Sequence, residues 1–129
     1  MEAGLVLDAH GQPLHWHLPH GRTGGSLPEW PELWDFLWAN KDNLSGFAHS
    51  HPGLGVPGPS YTDVTTFAAL ESGLGARLDW WIVTDDSISL FRWGGPHRLN
   101  YVSQPVEQEP AWVGELRRVS KPDVERRPS

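Results

Sequence analysis

The sequence predicts a mixed α/β domain, with a central antiparallel or mixed sheet carrying at least two helices. Three observations lead there. Two apolar runs, residues 78–84 and 88–93, flank Asp85-Asp86-Ser87, which has turn chemistry. Trp30, Trp34 and Trp38 recur every fourth residue with Leu33 and Leu37 beside them, which is helical periodicity. Ser60-Tyr61-Thr62-Asp63 has the spacing of a capping box ahead of a further apolar segment.

The elements follow in order. Residues 2–7 read as a strand, 8–13 as a turn and 14–18 as a second strand, together a hairpin. After a Gly-rich loop, a helix is expected with a cap near Ser26 and Pro28 or Pro31 in its first turn. Its tryptophan stripe is expected to face the core. Residues 46–51 form a short strand that enters a Gly/Pro loop. The capping box then opens a helix through Leu70 and Leu74, stopped by Gly73 and Gly75. The runs 78–84 and 88–93 make a second hairpin, in which the adjacent Trp80 and Trp81 must point to opposite faces. Residues 99–102 add a strand. After Pro105 the pattern dissolves, which divides the chain into a folded domain, 1–110, and a polar, flexible C-terminal tail, 111–129.

Composition narrows the function. The 129 residues fit one domain with a core of its own. There is no cysteine, which removes disulfide scaffolds, thiol catalysis and Cys-based zinc sites. The net charge of −6 is opposite to that of a general nucleic-acid binder. No apolar stretch reaches the length of a membrane span, and no charged-then-apolar leader opens the chain. The expectation is a cytoplasmic protein with neither nucleic acid nor membrane as partner.

The chemistry concentrates in His49-Ser50-His51-Pro52 and Ser60-Tyr61-Thr62-Asp63. Alternation on a strand sends His49 and His51 to one face. A carboxylate in the first turn of the next helix, Asp63, can return to the same point. Two His and one Asp form a three-ligand set for zinc with an open fourth position, the catalytic form of such a site. A nearby carboxylate must then handle the water proton, and a donor such as Ser60 must steady the oxyanion. Taken singly, Ser60 and Asp63 are also a plain helix cap, and His49 and His51 are also ordinary residues at a strand end. A second cluster, His15, His17 and His20, has no carboxylate at suitable spacing and is expected to line a groove or the surface.

These segments resemble the JAMM motif of the MPN-domain (JAB/Mov34) metalloproteases: an early Glu, then H-[ST]-H-P, then S-x-x-D. Phe47-Ala48 before the histidines and the Trp80-Trp81-Ile82-Val83 strand fit as well, and Glu2-Ala3-Gly4-Leu5-Val6-Leu7 is similar to the segment carrying the early Glu. The likeness spans about residues 2–102, with a loop at 52–62 one residue longer than usual in the family. It implies the MPN fold, a curved mixed sheet flanked by helices and similar to cytidine deaminases. It implies zinc held by His49, His51 and Asp63, a water held and deprotonated by Glu2, and a tetrahedral intermediate stabilised by Ser60. The implied activity is hydrolysis of a peptide or isopeptide bond, at a ubiquitin-like, sulfur-carrier or other extended protein terminus, in the manner of prokaryotic or phage members. A catalytically inactive MPN scaffold that binds protein partners is the alternative. Glu2 stands almost at the start of the strand, so a homodimer or partner subunit could hold it down, and Glu29 and Glu32 are the substitute bases.

Overall fold

The computed structural model describes residues 1–23, 27 and 31–121. Among them the chain forms a six-stranded mixed sheet and three α-helices. The strands are β1 (Gly4–Asp8), β2 (Pro13–His17), β3 (Leu44–Ser50), β4 (Asp79–Val83), β5 (Ile88–Trp93) and β6 (Tyr101–Gln104). The helices are α1 (Pro31–Ala39), α2 (Tyr61–Leu74) and α3 (Val113–Val119). The spatial order is β2-β1-β3-β4-β5-β6. β3 and β4 pair parallel while the other described pairs are antiparallel. A parallel pair needs a crossover, and α2 supplies it. Both expected hairpins, β1–β2 and β4–β5, are present. The last strand lies two residues later than the pattern indicated.

Strand alternation splits the core into two layers. Val6, Trp80, Ile82 and Phe91 face α1 and α2, where they meet Leu33, Leu37, Phe67 and Leu70. Leu5, Leu7, Ala48 and Val83 face the other way, onto Trp112, Val113, Leu116 and Val119. Trp80 is buried and Trp81 half-buried, on opposite faces as expected, with Trp81 meeting Trp112 edge-on at 5.4 Å between centroids.

Three expectations are corrected. Residues 111–121 are not tail: α3 packs on the sheet because Trp112, Val113, Leu116 and Val119 form one apolar stripe, which the charges at 115, 117 and 118 disguise. Residues 122–129 lie outside the described residues. The buried stripe of α1 is Leu33 and Leu37, not the tryptophans: Trp34 is 39% exposed and Trp38 50%. One residue further round the helix, these two rings stack at 6.5 Å, and Lys41 Nζ sits 4.2 Å over Trp38. Trp30 and the caps expected near Ser26 and Pro28 lie outside the described residues. Gly73 does not stop α2 but lies within it, where a Cβ would come 2.5 Å from the Trp34 ring. Gly75 ends the helix, with the left-handed φ of 70° that a C-cap of this kind requires.

Glu71, on α2, is a buried carboxylate. It accepts from Leu78 N (2.8 Å), Trp80 Nε1 (2.9 Å), Tyr101 Oη (2.5 Å) and Arg77 Nη1 (3.0 Å), tying α2 to β4 and β6. Burial, and then the Glu71 carboxylate, push the Tyr101 phenol above its usual range. Glu71→Ala strands two buried N–H donors and is expected to lower stability by about 3 kcal/mol, read from urea unfolding.

Candidate metal centre

The sheet places three groups. On β3, alternation puts Phe47 and His49 on the α2 face and Ala48 and Ser50 on the α3 face, and His51 follows in the His49 parity. Gly4 of β1 pairs with His49 on one side and His17 of β2 on the other. A Cβ there would lie 2.7 Å from Phe47 Cζ and 3.2 Å from His17 Cβ, so the bare Cα leaves room for the Phe47 ring. Glu2, two residues earlier, shares that face.

The fourth group comes from α2. Ser60 is its N-cap: Ser60 Oγ accepts from Asp63 N (3.0 Å), and Asp63 Oδ2 accepts from Ser60 N (3.0 Å). The same carboxylate turns to the histidines. Its Oδ1 lies 3.5 Å from His49 Nε2 and its Oδ2 3.2 Å from His51 Nε2, while the two Nε2 atoms are 2.9 Å apart. The cap and the convergence on the imidazoles are therefore properties of one side chain.

This donor set fits zinc. A tetrahedral ion with bonds of about 2.0–2.1 Å holds its ligand atoms about 3.3 Å apart. His49 Nε2 and His51 Nε2, 2.9 Å apart, and His51 Nε2 and Asp63 Oδ2, 3.2 Å apart, come close to that spacing, while the other Asp63 oxygen, Oδ1, is the one that approaches His49 at 3.5 Å. Glu2, His49 and His51 also bring donor atoms within 4.8 Å of one another. Two triads thus share the imidazole pair. Asp63 approaches the two rings at 3.5 and 3.2 Å, and either carboxylate could complete a donor set with them.

Burial lifts the Glu2 carboxyl above its ordinary value, and the two imidazoles pull it only part of the way back. Burial also acts to raise Asp63, but hydrogen bonds from His49 and His51 outweigh it and hold Asp63 well below the usual carboxylate range. The hydrogen bond to Asp63 raises His51.

Hydrogen bonds within the chain hold the Glu2 backbone. Its N–H donates to Thr23 O (2.6 Å), and Arg22 Nη1 reaches both Glu2 O (3.4 Å) and Val119 O (3.1 Å). Next to it, Ala3 N donates to Ser50 Oγ (2.9 Å), which lies 2.6 Å from Ser120 Oγ, itself 2.7 Å from Leu116 O. The Leu116 carbonyl can only accept, so it takes the Ser120 hydrogen, and Ser50 donates to Ser120. The result is a one-way chain of buried hydrogen bonds from β1 through β3 to the end of α3. Sequence reasoning passed over Ser50, Arg22 and Ser120, because no local signal joins residues 70 positions apart.

The remaining expectations are quickly placed. Ser60 is exposed at the mouth of the site. Of the second histidine cluster, His15 stacks on Phe36 at 4.4 Å and His17 lines the cavity beside His49. Glu32 is exposed in the first turn of α1, and Glu29 lies outside the described residues. No helix among the described residues is long and apolar enough to cross a membrane. No protein-family model matches the chain, and no curated protein matches it either.

Removing either hydroxyl of the chain leaves a buried partner unsatisfied. Ser50→Ala and Ser120→Ala are each expected to cost about 1–3 kcal/mol and to speed amide exchange at Ala3, measured by denaturation and hydrogen-exchange NMR.

Proposed function

We propose that this chain is a zinc-dependent hydrolase of the JAMM/MPN type. It cuts a peptide or isopeptide bond at an extended protein terminus, such as that of a ubiquitin-like or sulfur-carrier protein. The observation that carries the reading is the convergence of His49, His51 and Asp63, with Glu2 beside them on the same sheet face. A six-stranded mixed sheet with α1 and α2 on one face and α3 on the other is compatible with the MPN fold.

His49, His51 and Asp63 would hold the ion. When bound, zinc supplies Lewis-acid activation of water and of the scissile carbonyl at neutral pH. Glu2 takes the proton of the attacking water and returns it to the leaving nitrogen. Ser60 Oγ accepts the Asp63 N–H and keeps its own hydrogen for the oxyanion.

Metal analysis of the purified protein is expected to find about one zinc per chain. His51→Ala loses zinc and turnover together. Glu2→Gln keeps zinc and loses turnover by about 10²–10⁴-fold. Full turnover in Glu2→Gln contradicts the base assignment. Zinc without cleavage of any ubiquitin-like fusion or short peptide favours the alternative, an inactive MPN scaffold for protein partners.

A further inference from the structure

The four converging side chains occupy only one end of a cavity of about 580 Å³. Beyond them the lining is apolar: Leu27 and Phe47 are half-buried, and the core side chains of Leu33, Phe67, Leu70 and Trp80 close it from behind. That volume lies within the range of small-ligand pockets. The two ends are continuous, since the His49 ring meets the Phe67 ring edge-on at 6.2 Å.

Local periodicity builds this gradient twice. On α2, Asp63, Phe67 and Leu70 are spaced i, i+4 and i+7, so one helix stripe runs from carboxylate to apolar wall. On β3 and just beyond it, His51, His49 and Phe47 share one parity, so one strand face runs from imidazoles to apolar floor. Phe67 then stacks on Trp80 at 4.3 Å, which makes the floor rigid. A Gly-Gly terminus presents no side chain to such a wall.

We propose that the apolar end of this cavity is a specificity subsite for a large apolar side chain, the size of leucine or phenylalanine, flanking the scissile amide. The inference rests on the hydrolase reading above and narrows its substrates, away from termini with glycine at the scissile amide and toward those with a bulky apolar residue there. The preferred bond lies beside a bulky apolar residue, and a glycine there is the poorer substrate.

Two measurements on the full-length, zinc-loaded protein test it. In ¹⁵N NMR titrations, N-acetylphenylalanine amide is expected to shift the amides of Thr66, Phe67 and Leu70 and the Trp80 indole, and N-acetylglycine amide to leave them in place. Thr66 lines the cavity from α2, and Thr66→Trp is expected to abolish those shifts. In quenched peptides varied on either side of one amide, Leu or Phe is expected to raise kcat/KM over Gly at least about tenfold on one side. Thr66→Trp brings that ratio toward one. Should it fail to fold, Leu33→Ala enlarges the space and moves the preference toward Trp. Cleavage with no Phe-over-Gly preference, or a phenylalanine probe that shifts none of these signals, overturns the subsite. Shifts at the subsite with no peptide cleaved count against the hydrolase reading and leave the subsite standing.

Discussion

One carboxylate joins the fold to the site. Asp63 closes the capping box of α2 through Ser60 and at the same time bridges the rings of His49 and His51. Capping sets where α2 begins, and α2 is the crossover that makes β3 and β4 parallel neighbours. The end of β3 and the start of α2 are thereby drawn together across the Gly/Pro loop. The helix start cannot shift without pulling the carboxylate off the imidazoles. The residues that assemble the centre also seat the helix against the sheet.

The far side of the sheet supports the near side. α3 covers the face opposite the histidines, yet its C-terminal end reaches through Ser120 and Ser50 to the backbone of Ala3, next to Glu2. Ser50 faces α3 because its neighbours His49 and His51 face the cavity; alternation assigns one residue to the support behind the sheet and two to the cavity. The Glu2 N–H donates to Thr23 O and its carbonyl accepts from Arg22, while the Ser50–Ser120 chain fixes the next residue, Ala3.

Much of this was legible in the sequence, and the reasons are local. His49 and His51 obey strand parity, and Ser60 and Asp63 obey cap spacing, so each pair announces its own geometry. The hairpins were legible because turn residues separate apolar runs. What escaped was non-local. The apolar stripe of α3 is short and interleaved with charge, so its burial became visible only against β1 and β3. The tryptophans of α1 misled because period alone does not say which of two neighbouring stripes turns inward; the Leu33–Leu37 stripe did, and the larger rings stacked outside. Glu71 gave no sign of burial, since its partners on β4 and β6 lie across the crossover.

Anomalous diffraction at the zinc edge, from crystals of the zinc-loaded protein, tests the central claim most directly. The account predicts one peak bonded to His49 Nε2, His51 Nε2 and an Asp63 oxygen at about 2.0–2.2 Å, with the Glu2 carboxylate outside bonding distance. A peak elsewhere, or one ligated by Glu2 with Asp63 turned away to its helix cap, would contradict it.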